Sequence, residues 1–205
     1  MSLASKIWKE ISIHAVVAEF LRAERDTKFN FYPPWLHLVD NPNLNDPLEN
    51  HKRLRMLFIA RLPFMIEIPS DTQWYEVQNL TENEVDELYV SAGHNNQWDQ
   101  PGNRLRDVAR AAREPLKAPP DKWARIILWG HSKVGRFSIL EGNHRLVGYA
   151  ASNSPLGLNI AVYVGLSQSP CFWHYADPRL SLGQGRLDLC PKNIVAQNDW
   201  LYLTP

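Results

Sequence analysis

The sequence predicts an α+β domain, a small mixed or antiparallel sheet flanked by helices and preceded by a helical extension. Three observations lead there. Short runs of β-branched and aromatic residues recur along the chain, as in Trp74-Tyr75-Glu76-Val77 and Ile160-Ala161-Val162-Tyr163-Val164. Amphipathic stretches with recognisable caps lie before and between them. At Glu141-Gly142-Asn143-His144-Arg145 a strand-like run passes through a glycine turn straight into a helix-like one.

Taken in order, residues 2–25 read as one helix, because Leu3, Ile7, Ile11, Val16, Phe20 and Leu21 recur near helical spacing. Residues 26–45 carry Pro33-Pro34, Asn41-Pro42 and aromatic rings without a period, which predicts a loop. Asp46-Pro47 supplies a cap and then proline at the first helical position, so residues 48–60 read as a second helix, with His51, Lys52, Arg53 and Arg55 on its early turns. Residues 63–69 and 73–77 read as strands. Thr81 with Glu84 forms a capping box that opens a helix over residues 82–90. A polar loop follows, then a short basic helix over residues 104–113. Residues 124–129 and 136–140 read as a hairpin pair joined by Gly130-His131-Ser132-Lys133-Val134-Gly135. After a helix containing Leu146, Val147, Tyr149 and Ala150, residues 158–164 give the strongest strand pattern, and an irregular tail follows. Residues 1–60 are thus expected as a helical extension packed on a core domain of residues 61–205.

Composition narrows the function classes. The chain has 205 residues with 22 basic and 22 acidic side chains, so it lacks the broad positive field that non-specific duplex binding uses. No apolar run approaches the about 20 residues of a membrane span, and the N-terminus lacks a signal-peptide pattern. Cys171 and Cys190, the only cysteines, fit a reducing compartment. A cytoplasmic protein without a membrane partner is expected. Cys171 with His174 falls short of the three or four ligands a zinc site requires, so no metal-ligating residues are assigned. No P-loop, Rossmann glycine pattern or Gly-x-Ser-x-Gly elbow is present.

The chemistry concentrates at Gly142-Asn143-His144-Arg145. The first turn of a helix leaves backbone N–H groups unbonded within the helix and carries partial positive charge. A glycine turn followed by polar and cationic side chains at that position suits an anion, and phosphate above all. This strand, Glu-Gly-Asn-His-Arg and small-residue helix resembles the core motif of the ParB and sulfiredoxin superfamily, loosely Gly-x-His-Arg-x-x-Ala. Asn143 stands where a sulfiredoxin carries its reactive cysteine, and Gly148 where the motif has alanine. The resemblance implies a ParB/sulfiredoxin-like sheet. It also implies that Gly142, Asn143, His144 and Arg145 bind the phosphates of ATP or another nucleoside triphosphate, with Mg2+.

On that reading the protein is a nucleotide-binding phosphotransferase, kinase-like toward a small-molecule acceptor, or a nucleotide hydrolase. Arg145 would neutralise developing charge and His144 would donate a proton. Glu67, Asp71, Glu76 and Glu141 are the carboxylates available to activate an acceptor, with Glu141 beside the motif. Ser167 and Ser169, after the last strand, would add hydroxyl donors if that strand neighbours the helix. Two other readings stand beside it. One is a ParB-like DNA-binding or nuclease protein, helped by Arg53, Arg104 or Arg106. The other is a protein-interaction or inhibitor protein, using the N-terminal helix and the aromatic loop around Trp35.

Overall fold

Strand β3, Ile126–Gly130, is buried at every position. A strand covered on both faces needs two apolar layers, and the rest of the chain provides them. A computed structural model describes residues 2–25, 36–60, 68–90, 104–109, 124–152 and 160–169. In chain order these form β1 (Trp8–Ile11), α1 (Ile13–Glu24), α2 (Leu36–Asp40), α3 (Pro47–Ala60), β2 (Gln73–Leu80), α4 (Glu82–Asp86), α5 (Leu105–Ala109), β3, β4 (Phe137–Glu141), α6 (Asn143–Ala151) and β5 (Ile160–Leu166).

The strands make one mixed five-stranded sheet in the order β1-β2-β5-β3-β4. Only β3 and β5 run parallel; the other neighbours are antiparallel. The period-two alternation of side chains sorts the two faces. Trp74, Ile127, Trp129, Leu140 and Tyr163 pack with Val16, Val17, Phe20 and Leu21 of α1 and with Met56 and Leu57 of α3. Val77, Ile126, Leu128, Phe137, Ile139, Val162 and Val164 pack with Val85 of α4, Leu105 of α5 and Leu146, Val147 and Tyr149 of α6. The sheet is therefore the middle layer between two helical layers.

The expected single helix over residues 2–25 is instead a strand followed by a helix. Trp8 to Ile11 pair antiparallel with Val77 to Trp74, and the Ser12 hydroxyl then accepts from Ala15 N at 3.3 Å to start α1. The helical spacing of Leu3, Ile7 and Ile11 misled because each does a different job. Leu3 is fully buried in the second core cluster, Ile7 is 85% exposed, and Ile11 packs at the margin of the first cluster. Residues 1–60 consequently supply the sheet's edge strand and much of the layer covering one face, beyond what an appended extension would provide.

Elsewhere the local chemistry acts as its residue types dictate. The Asp46 carboxylate accepts from Leu48 N at 2.8 Å and Glu49 N at 3.3 Å, capping α3. Glu84 accepts from Thr81 N at 2.8 Å and from the Thr81 hydroxyl at 3.0 Å. Yet α4 ends at Asp86, four residues short of the expected Val90, because Tyr89 bonds to β4 instead: Tyr89 N donates to Phe137 O at 3.0 Å and Ile139 N to Tyr89 O at 2.9 Å. The hairpin β3–β4 forms as expected. The expected strand at residues 63–69 falls mostly outside the described residues; of the basic helix expected over residues 104–113, residues 104–109 are described and contain α5, and the rest lies outside them.

Candidate functional site

The turn from β4 into α6 is built on Gly142, whose φ of 106° is left-handed and disfavours any residue with a Cβ. Space requires glycine there as well. A Cβ would run into Cδ1 of Ile126 and would sit 3.3 Å from Nη2 of Arg145. Gly142 is the residue that opens the helix, and it has no side chain with which to cap the first turn. Asn143 is the first helical residue and its Nδ2 donates backwards to Ile139 O at 3.3 Å. His144 is exposed on that turn.

Arg145 turns back beneath the glycine. Its Nη1 donates to Ala124 O, and its Nη2 pairs with Glu141 Oε1 at 3.2 Å. Burial lowers the guanidinium's pKa while Glu141 opposes that shift; an arginine remains a cation regardless. Glu141, the carboxylate nearest the turn, is thus already partnered.

The segment that receives Arg145 is itself a junction. Arg125 N donates to Glu19 Oε1 of α1 at 2.6 Å. The Arg125 side chain bonds Glu76 Oε1 from Nε at 3.0 Å and Nη2 at 2.9 Å, and its guanidinium lies 5.1 Å from the Tyr163 ring centroid. Arg22 Nη2 pairs with Glu19 Oε1 at 2.7 Å. Glu19 and Glu76 are both buried. The entry to β3 therefore ties α6 through one carbonyl and α1 through one amide. Sequence reading missed this junction. Its trace was a glutamate at a buried position of α1 and an arginine opening a wholly apolar strand.

The remaining candidates disperse. Leu166 lies opposite Gly130, which lies opposite Phe137, while Glu141 lies opposite Ile127 at the far end of the hairpin. Ser167 and Ser169 therefore follow β5 at the end of the sheet away from Gly142, about 15 Å along the strands. Their expected approach to the helix terminus does not occur, because β5 runs parallel to β3 and hence antiparallel to β4. Asp71 is at the Ser167 end, where hydrogen bonds from Ser167 and Ser169 lower its pKa. Glu76 is committed to Arg125, and Glu67 lies outside the described residues, as do Cys171, His174 and Cys190. The basic residues weighed for nucleic acid do not make a patch. Arg53 is fully buried and bonds Glu49, Asn50 and the carbonyl of Asn43, whereas Arg104 and Arg106 share Glu87 at 3.2 and 3.3 Å.

For Mg2+ the described residues do not provide a ready site. Glu141 is paired with Arg145, and among the described residues no three His, Cys, Asp or Glu side chains gather as metal ligands. Among the described residues no helix is long and apolar enough to cross a membrane. Compared with family models, curated proteins and solved structures, the chain matches none.

Proposed function

We propose that the β4–α6 turn binds a phosphate group of a nucleotide, in a domain of ParB/sulfiredoxin-like character whose chemistry is phosphoryl transfer or nucleotide hydrolysis. The observation that carries the reading is a nine-residue helix opened by a left-handed glycine with no side-chain cap, with Arg145 directly beneath it and His144 exposed on its first turn. First-turn amides and a nearby guanidinium both favour a negative guest.

The Arg145–Glu141 pair defines how such a guest enters. A phosphate competes with Glu141 for the same guanidinium, and if it wins, a carboxylate is released beside the bound phosphate. Glu141 then becomes the group placed to accept a proton from water or from a small-molecule hydroxyl. Since no Mg2+ site is found among the described residues, no step is assigned to it.

A second reading has its own support. The bonds from Arg145 to Ala124 O and Glu141 also make a staple between helix and strand, which an interaction protein with no nucleotide site could equally use. Calorimetry separates the two. ATP, CTP, GTP and a short DNA duplex are titrated into the wild type, His144→Ala, Arg145→Ala and Glu141→Gln, and folding of each variant is verified by circular dichroism. One nucleotide should bind, weaken in the histidine and arginine variants, and bind severalfold more tightly with diminished turnover in Glu141→Gln. Absence of heat with every nucleotide would leave the staple reading. Salt-sensitive binding of DNA alone would point to nucleic acid.

A further inference from the structure

Three adjacent strands deliver polar side chains to the end of the sheet opposite the α6 turn. Asp71 and Thr72 precede β2, Ser167 to Ser169 follow β5, and His131 follows β3. This is the carboxyl end of the parallel pair β3 and β5. It is independent of the nucleotide reading.

The hydrogen atoms here can be followed one by one. Ser167 Oγ donates to Asp71 Oδ1 at 2.8 Å, and Ser169 Oγ donates to Asp71 Oδ2 at 2.9 Å. Ser169 N donates to Ser167 Oγ at 2.9 Å. His131 Nδ1 lies 2.9 Å from Ser167 O. A carbonyl oxygen can only accept, so Nδ1 carries the proton, and the Nε2 of a neutral imidazole is left with a lone pair. Gln168 Nε2 donates to His131 O, fixing the two loops to each other.

The hydroxyl protons of Ser167 and Ser169 and the Nδ1 proton of His131 are thus directed inward. What these groups retain is acceptor capacity: the second lone pairs of the exposed Asp71 carboxylate, the oxygen of the half-buried Ser169 and Nε2 of the half-buried His131. A phosphate would meet lone pairs and a negative charge, which removes Ser167 and Ser169 as phosphate ligands for a reason beyond distance. A group that is all donor and positively charged meets its complement. A metal ion is the weaker match, since among the described residues no third His, Cys, Asp or Glu joins Asp71 and His131.

We propose that this end of the sheet binds the protonated amine of a small molecule, with Asp71 as the counter-charge and Ser169 Oγ and His131 Nε2 as further acceptors. The test is an NMR titration of the full chain at neutral pH. It follows the His131 ring signals and the Ser167 and Ser169 amides as putrescine, inorganic phosphate or Zn2+ is added. Putrescine should shift these signals saturably and phosphate should leave them in place. Asp71→Asn, which keeps the side chain's shape, should weaken putrescine binding about tenfold or more, the scale of one hydrogen bond to a charged group. Ser169→Ala should weaken it less, and unchanged signals elsewhere in the spectrum show that each variant is folded. The proposal is overturned if phosphate produces the shifts, if Zn2+ alone does, if putrescine produces none, or if it binds Asp71→Asn as it binds the wild type.

Discussion

Gly142 shows how much one residue can settle. Two constraints that are usually separate coincide there: a backbone angle that only glycine adopts without strain, and a gap already filled by Ile126 and by the guanidinium of Arg145. Gly142→Ala should therefore cost roughly 2–5 kcal/mol, combining left-handed strain with overpacking, measured as a shift in the urea midpoint with an unchanged slope. A loss under about 0.5 kcal/mol, the range of ordinary surface changes, would mean that Ile126 moves aside and that the turn is looser than its geometry. Arg145 is the opposite case, a residue whose type was legible and whose partner was not. A guanidinium beside a helix terminus suggests an external anion, but the nearest anion is the chain's own Glu141.

At the scale of elements, α4 is held at its start by a small network. Thr81 donates to Glu84 through both its amide and its hydroxyl, and Lys6 from the N-terminal segment pairs with the same carboxylate at 2.8 Å. Burial would raise the Glu84 pKa, but the bonds from Lys6 and Thr81 outweigh it and hold the carboxyl below its ordinary 4.5. A carboxyl depressed in the folded state contributes stability that is present above its unfolded value and is lost as pH falls through the folded one. The wild type should accordingly lose part of its stability below about pH 4.5 through this group, and Glu84→Gln should flatten that segment of the curve of unfolding free energy against pH. An identical acid limb in the variant would remove the network from the account. Strand β1 makes a further point. Its residues alternate between the two faces, so antiparallel pairing with a second copy must set residues of equal parity opposite each other. Lys9 would then oppose Lys9, or Glu10 oppose Glu10, and four residues with central like-charge clashes form an edge that resists self-association.

Over the whole molecule, the elements with their own punctuation were legible: Asp46-Pro47 for α3, the Thr81 and Glu84 pair for α4, the apolar runs of β3 and β4, and the glycine before α6. What was hidden depended on pairing. Residues 8–11 are a strand only because β2 lies beside them, since a short segment with mixed helical and alternating spacing takes the conformation its neighbour bonds to. The separation of Ser167 from Gly142 depends in turn on β5 running parallel to β3, a choice no local pattern encodes. The same dependence bears on a chain begun at residue 61. Trp74, Ile127, Trp129, Leu140 and Tyr163 would lose the covering of α1 and α3, β2 would lose its partner β1, and Arg125 would lose Glu19. Five large apolar side chains turned to water, at about 1.5–3 kcal/mol each, are comparable to the whole margin by which most domains are stable. The fragment of residues 61–205 should show no cooperative urea transition and should bind a hydrophobic dye strongly. The full chain should unfold in one step, with its tryptophan fluorescence and far-ultraviolet circular dichroism changing together. A fragment that melts cooperatively would show that the N-terminal sixty residues are an attachment after all, and that the face beneath them is closed by some other part of the chain.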